Sequence, residues 1–531
     1  MKPYIQPFEK VLALKELESL SAKEPKACLN LANGETGNYW IDSPAELETL
    51  VKRLAYWEGV AVETAADTLN FTIQVRREAT VAAARNGVTL AELAKLLPFN
   101  GQVPLPNRRN LRFGPHGIHE YRGKFFPQLV RALLNIAGTK PGAKILDPMS
   151  GSGTTAVEAV LLGCHAYGLD MNPLSVLVSR AKCDILSVPP ERLANNFAAL
   201  TTDLLNREAV SGQQLNWFNN LSEKDRDYLS RWFAPDVLHD LDRIMVRIQE
   251  IPDVSCRRLF LVSLSNILRR VSWQKNDDLR VRREVRQDYK PDATAEFLSE
   301  LNRSVKTVLA FLYENQEQVI GDAHICEGNA QQADTLLREH LGDIDAIVTS
   351  PPYATALPYL DTDRLSLYYL RLLSRSEHRR RDYKMIGNRE ISKGLRQAYW
   401  TEYQQNRGKL TGGITAIIDR IEALNRDADV GFRRKNLPAL LARYFFDMRK
   451  VLETFTHMLR PGAPAYVVVG NNHTIAGGER VEIETNQLLG DLGEAAGLRL
   501  VEQIPMEMLV SRDIFRKNSS SAETILCFRN S

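Results

Sequence analysis
The sequence predicts an α/β fold built from strand–turn–helix units, and three observations predict it. Lys144-Ile145-Leu146-Asp147 reads as a short strand that runs into a glycine turn and then a helix opening near Thr154. Tyr167-Gly168-Leu169-Asp170 reads as the end of a second strand that closes on an acid. The apolar run Asp345-Ala346-Ile347-Val348 reads as a buried strand that stops at Thr349-Ser350-Pro351-Pro352-Tyr353, because two prolines remove two ladder donors.

Each element carries chemistry as well as structure. The spacing Gly151-x-Gly153-x-x-Ala156 is that of a dinucleotide-type loop, in which small residues let a ligand approach the backbone and the helix N-terminus. Asp170 lies 19 residues beyond Gly151, the offset at which a carboxylate accepts hydrogen bonds from ribose hydroxyls. These features alone fit a nicotinamide, a flavin or S-adenosylmethionine. Past Val348, the carbonyls of Ser350 and Pro351 are held in an extended path with a hydroxyl and the Tyr353 ring beside them. A fixed row of acceptors suits an amino group, and a neighbouring ring suits a flat base.

Ser350-Pro351-Pro352-Tyr353 resembles the catalytic tetrapeptide of the DNA methyltransferases that act on exocyclic amino groups. Asp147-Pro148-Met149-Ser150-Gly151-Ser152-Gly153-Thr154-Thr155 resembles the cofactor loop of that family, with Met149 where Phe is usual. Asp170-Met171-Asn172-Pro173 is similar to the family's Asp-x-Asn-Pro after the second strand. His119, Tyr121, Lys124 and Phe125 fall in a segment similar to the one that packs over the methionine end of the cofactor. The resemblance implies a Rossmann-like seven-stranded methyltransferase sheet, S-adenosylmethionine as cofactor and no metal. It implies catalytic roles for Ser350, Pro351, Pro352 and Tyr353, and makes Asp334 the expected partner of the cofactor's adenine amino group. Tyr466-Val467-Val468-Val469-Gly470 is expected as the fifth strand, and Glu523-Thr524-Ile525-Leu526-Cys527-Phe528 as a final, hairpin-paired one. Ser at the first tetrapeptide position goes mostly with cytosine N4 in this family, and Asp or Asn mostly with adenine N6.

The chain has 531 residues, too many for one core, and its 44% hydrophobic and 25% charged composition is that of a globular protein. No apolar run of membrane length occurs, and the start lacks the apolar stretch of a secretion signal, so a cytoplasmic location is expected. Six scattered cysteines with no Cys-x-x-Cys pair read as reduced, buried thiols. The absence of a Pro-Cys dipeptide removes the obvious nucleophile of carbon-5 cytosine methylation.

Residues 1–105 read as a mostly helical accessory region. A helix is expected to start at Ser43-Pro44-Ala45-Glu46, and a helix-turn-helix is possible around Asn86-Gly87-Val88, with Thr89–Leu96 as its second helix. Pro98, Pro104 and Pro106 mark a linker. The catalytic region, 106–531, is expected to be interrupted by largely helical insertions at 190–321 and 373–437, the candidate target-recognition regions.

Net charge is only +3, yet residues 257–290 and 375–409 each hold ten Lys/Arg against four Asp/Glu, so the remainder is acidic. Concentrated positive charge is the footprint of phosphate binding. Arg269, Arg270, Trp273, Gln274, Lys275, Arg379, Arg380 and Arg381 are the expected nucleic-acid contacts. Double-stranded DNA is the expected partner, with a cognate restriction endonuclease or other defence components as possible companions. The competing readings are adenine-N6 methylation, an RNA amino-methyltransferase, an oxidoreductase using the glycine loop alone, and an inactive DNA-binding scaffold.

Overall fold
A computed structural model describes the chain except residues 28–36, 44, 64–67, 86–88, 90–91, 93–94, 96–104, 106–109, 122–124, 207–214, 276–281, 286–288, 317, 355–358, 389–390, 427 and 508–521. The expected turn at Asn86-Gly87-Val88, most of the helix expected after it, all three linker prolines except their flanks, Lys124 and Cys28 lie outside the described residues.

Seven strands form one sheet: β1 (Lys144–Asp147), β2 (His165–Asp170), β3 (Asp322–Glu327), β4 (Ala346–Thr349), β5 (Pro464–Gly470), β6 (Leu498–Glu507) and β7 (Ala522–Asn530). Their order is β6-β7-β5-β4-β1-β2-β3. The first five are parallel, while β7 is antiparallel to both β5 and β6. The α/β fold and its seven-stranded sheet are therefore present. The order reverses between β1 and β4, which creates the crevice where open α/β sheets bind ligands.

Apolar side chains alternate across the sheet. Ile145, Tyr466 and Val468 pack on one face with Leu129, Leu133, Val157 and Val160. Leu146, Val467 and Val469 pack on the other, with Tyr444, Phe445, Val451 and Leu489. The helix after the glycine turn, α1 (Thr154–Leu161), and the helix after β2, α2 (Pro173–Asp184), begin at the sheet's C-terminal edge. Between Pro190 and Asn315 the chain forms helices Pro190–Leu205, Pro235–Gln249, Val254–Leu268 and Ala293–Asn315 around their own core, which takes in Phe218, Trp232 and Phe233. Further on lie α3 (Arg375–Asp382), helices Lys393–Asn406 and Gly412–Arg426, and α4 (Phe432–Met458).

Three local features bear on the expected boundaries and burial. Near the end of the expected insertion at 373–437, α4 runs unbroken through 437 with Pro438 inside it, and Ile414, Ile418 and Ile421 pack in the core on one face of the sheet. The helix expected from Ser43 starts at Leu47 instead, because the Ser43 hydroxyl accepts from Ala45 N two residues on, at 3.0 Å. Cys326 is exposed, unlike Cys164, Cys183, Cys256 and Cys527. Among the described residues no helix is long and apolar enough to cross a membrane.

Residues before 86 share the sheet's core, since Phe8, Leu12 and Leu17 pack with Leu129, Ile504 and Met506. Below this layer sits a buried charge cluster. Glu158 on α1 accepts from Arg131 Nε at 2.8 Å and pairs with His116 Nε2 at 2.8 Å, all three being buried. Burial alone would raise the Glu158 carboxyl, but Arg131 and His116 outweigh it and hold it at about 2. Arg131→Met leaves a buried carboxylate short of its main counter-charge, so it should cost about 3–5 kcal/mol. Urea unfolding at neutral pH checks this.

Candidate active site
The glycine turn after β1 and the tetrapeptide after β4 open into one cavity of about 260 Å³. Its wall includes Tyr121, Phe125, Pro148, Met149, Gly151, Asp170 and Met171 on one side, and Ser350, Pro351, Pro352 and Tyr353 on the other. Parallel pairing explains the meeting: both loops leave the sheet at the same edge, from neighbouring strands in the register Leu146↔Ile347.

The backbone of the glycine turn is one that glycine favours. Gly151 has φ +49° and Gly153, the cap of α1, has φ +75°. A Cβ on Gly153 would stand 2.7 Å from Ser179 Oγ and 2.9 Å from Ser179 Cα, so the turn packs directly on α2. Asp170 closes β2 and accepts from Gly151 N and Asn172 N, both at 2.8 Å. Two of its lone-pair sites remain for a ligand. Burial pushes the Asp170 carboxyl up to about 6 against those two amides, with Asp147 and Asp363 adding to the rise. Bare glycines, a ribose-type carboxylate and an aromatic and thioether wall fit a nucleoside cofactor.

Several of the expected cofactor residues are not among the side chains lining the cavity. Asp147 is buried, accepting from Thr349 Oγ1 at 2.7 Å and Met149 N at 3.2 Å. Ser152, Thr154 and Thr155 are buried under the turn, and the Thr155 hydroxyl donates to the Val348 carbonyl at 3.1 Å. Asn172 caps α2 by accepting from Leu174 N at 3.0 Å and donates to Asp363. His119 is buried beside Ser265, 3.4 Å away, on the helical side. Asp334 pairs with His457 at 2.8 Å and is not part of the cavity wall.

Residues not among the expected site completing the wall include Gly328, Asn329 and Ala330 after β3, Met385 and Ile386 after α3, Val468 on β5 and Glu523 on β7. Only the turn after β3 could have been found from sequence, by the rule that ligands meet strand ends.

The basic stretches divide. Gln274 is buried, Arg269 donates to the Lys275 carbonyl at 3.1 Å, and Arg270 faces Glu296 and Glu300. Trp273 is half-buried, with Arg283 over its ring at 5.9 Å. That run folds back on its own helices. On α3, Arg379 and Arg380 are exposed, while Arg381 pairs with Glu327 and donates to the Met171 carbonyl at 3.2 Å.

Comparison with known proteins agrees with this geometry. Residues 119–208, the stretch that holds the glycine turn, match the family described as RMKL-like, methyltransferase domain. The chain is similar to Type II methyltransferase M.MvaI of Kocuria varians, 25% identical over 421 residues, which cover 76% of this chain and 86% of that protein. It is also similar to Type II methyltransferase M.BsoBI of Geobacillus stearothermophilus, 22% identical over 420 residues, 71% of this chain and 78% of the other. A local likeness, 40% identical over 52 residues, relates 10% of this chain to 16% of the tRNA (guanine(10)-N2)-dimethyltransferase of Methanothermobacter thermautotrophicus.

Removing the Thr349 hydroxyl tests the seam between the two loops. Burial pushes the Asp147 carboxyl up to about 6, although Thr349, Thr155 and the Met149 amide each act to lower it. A carboxyl raised above its unfolded value of about 4 stabilises most at low pH, and that contribution is lost as pH rises through 6. Thr349→Val should therefore destabilise by about 1–3 kcal/mol at pH 8 and by less at pH 5, where the carboxyl is largely protonated. Thermal unfolding at both pH values checks the sign.

Proposed function
We propose that this protein is an S-adenosylmethionine-dependent DNA methyltransferase that modifies the exocyclic amino group of a flipped base, cytosine N4. The observation that carries the reading is the shared cavity: the glycine turn and Ser350–Tyr353 line one space. The extended similarity to Type II methyltransferases favours double-stranded DNA over RNA, since the tRNA-enzyme likeness spans only a tenth of the chain. It also makes a cognate restriction endonuclease the natural companion. Ser350, rather than Asp or Asn, favours cytosine within the family pattern.

The cofactor would be held by Gly151, Gly153, Asp170 and Met171, with Tyr121 and Phe125 as the aromatic wall, and it supplies an electrophilic methyl group. What remains for the chain is to place and polarise the nucleophile, a positioning problem. Ser350 Oγ donates its proton to the Val468 carbonyl at 3.0 Å, so toward the cavity it acts as an acceptor. Pro351 and Pro352 contribute carbonyls and no N–H. An amino group entering here meets acceptors for its hydrogens. Accepting them shifts the nitrogen lone pair out of conjugation with the ring, an interaction stronger in the transition state than before it. Once the nitrogen carries the methyl group its proton is acidic and leaves without a strong base. Extruding the base from the duplex costs a few kcal/mol, and stacking on Tyr353 returns about 1–3 kcal/mol.

Modification-sensitive sequencing of DNA from cells with and without the protein tests the whole reading. N4-methylcytosine at one recurring site is expected. N6-methyladenine there would overturn the base assignment, and unmodified DNA together with methylated RNA would overturn the substrate. Ser350→Ala should lower the single-turnover methylation rate about 100-fold with cofactor affinity unchanged, because it removes the acceptor at the reacting nitrogen and leaves the cofactor-side residues in place.

A further inference from the structure
Tyr353 is restrained from three directions. Behind its backbone sits Gly387, where a Cβ would come within 3.1 Å of the Tyr353 carbonyl and 3.2 Å of Pro352 Cβ. On the following residue, Asn472 Nδ2 donates to the Ala354 carbonyl at 2.9 Å. At the ring's far end the Tyr353 hydroxyl donates to Glu523 Oε1. Glu523 reaches this place because β7 is antiparallel: its first residues, in the register Glu523↔Gly470, stand at the edge where the parallel strands end.

A carboxylate in this position is expensive for the fold. Glu523 lines the cavity, and among the described residues it has no ion-pair partner. Burial raises its carboxyl, and the Tyr353 hydrogen bond opposes the rise. An apolar residue on the same strand would pack without that cost. Its use is legible from what it holds. A tyrosine ring fixed at both its backbone and its hydroxyl has one orientation, and the phenol proton is directed at the carboxylate.

We propose that Glu523 is a positioning residue of the methyl-transfer reaction, fixing the Tyr353 ring as the platform on which the target base stacks. This rests on the amino-methylation reading of the cavity. Orientation is what methyl transfer from a sulfonium to an amino nitrogen demands most of the protein, and small misplacements there lower rates steeply.

A double-mutant cycle on the full-length protein tests it, with single-turnover transfer to duplex DNA at saturating S-adenosylmethionine as the rate and calorimetry for cofactor binding. Glu523→Ala and Tyr353→Phe should each slow transfer about ten-fold. The double variant should be no slower than either, because both remove the same bond. Glu523→Gln keeps an acceptor oxygen and should recover most of the rate, and cofactor affinity should hold within about two-fold throughout. A second full ten-fold loss on adding Glu523→Ala to Tyr353→Phe would overturn the proposal. So would Tyr353→Phe at the wild-type rate, a result that decides the matter even if Glu523→Ala does not fold. Wild-type protein inactive on duplex DNA would instead sink the methylation reading itself.

Discussion

Two hydroxyl bonds join the loops on which the site depends. Thr349 Oγ1 donates to Asp147 and Thr155 Oγ1 donates to the Val348 carbonyl, tying residues 202 and 193 apart in sequence. Each bond crosses from the strand or helix of one motif to the strand of the other, so neither loop can shift along the sheet without breaking both. The buried Asp147 carboxyl makes the seam costly to leave half-formed, since a buried acceptor without donors loses its solvation uncompensated. Closing so long a loop adds only a slowly growing entropic term, which the β1–β4 pairing and the core on both sheet faces offset. The topology then does the rest: at the reversal between β1 and β4, helices leave on opposite faces and a crevice opens between them.

What was legible in the sequence was contiguous. The strands around 144–147, 167–170 and 345–348, the helix opening at Thr154, and the strands expected at 466–470 and 523–528 all stand where their patterns put them, whereas β6 had no such reading. Glycine spacing, proline pairs and apolar runs report backbone geometry directly, because they act through sterics within a few residues. Side-chain direction is a different matter. Asp147 and Thr155 sit inside the motif yet bond to the neighbouring strand, since a strand's last residue and a helix's first turn bury whichever group their neighbours can satisfy. A motif names a place in the backbone, and the partner across the sheet decides which of its side chains meets the ligand.

The residues missed at the site share one property: each arrives from a distant strand or helix. Met385 and Ile386 come from beyond α3, Val468 from β5 and Glu523 from β7. Glu523 in sequence is an unremarked acid at the start of an apolar strand. Only the antiparallel return of β7 carries it to the edge where β4 and β5 end. Charge runs mislead for a related reason. A count of Lys and Arg records surplus charge and not its direction, so Arg269 and Arg270 turn out to serve a carbonyl and two glutamates within their own helical region.

The three consecutive arginines of α3 show how direction restores meaning to such a run. Successive helical residues point about 100° apart, so one inward residue leaves its neighbours turned toward solvent. Arg381 is the inward one, joined to Glu327 at the end of β3 and to the Met171 carbonyl, next along the chain from Asp170. Arg379 and Arg380 are exposed on the same short helix. The anchoring of Arg381 therefore sets where those two charges stand relative to the cavity. On the DNA-methyltransferase reading proposed above, that fixed offset would decide which nucleotide along a bound strand reaches Ser350 and Tyr353.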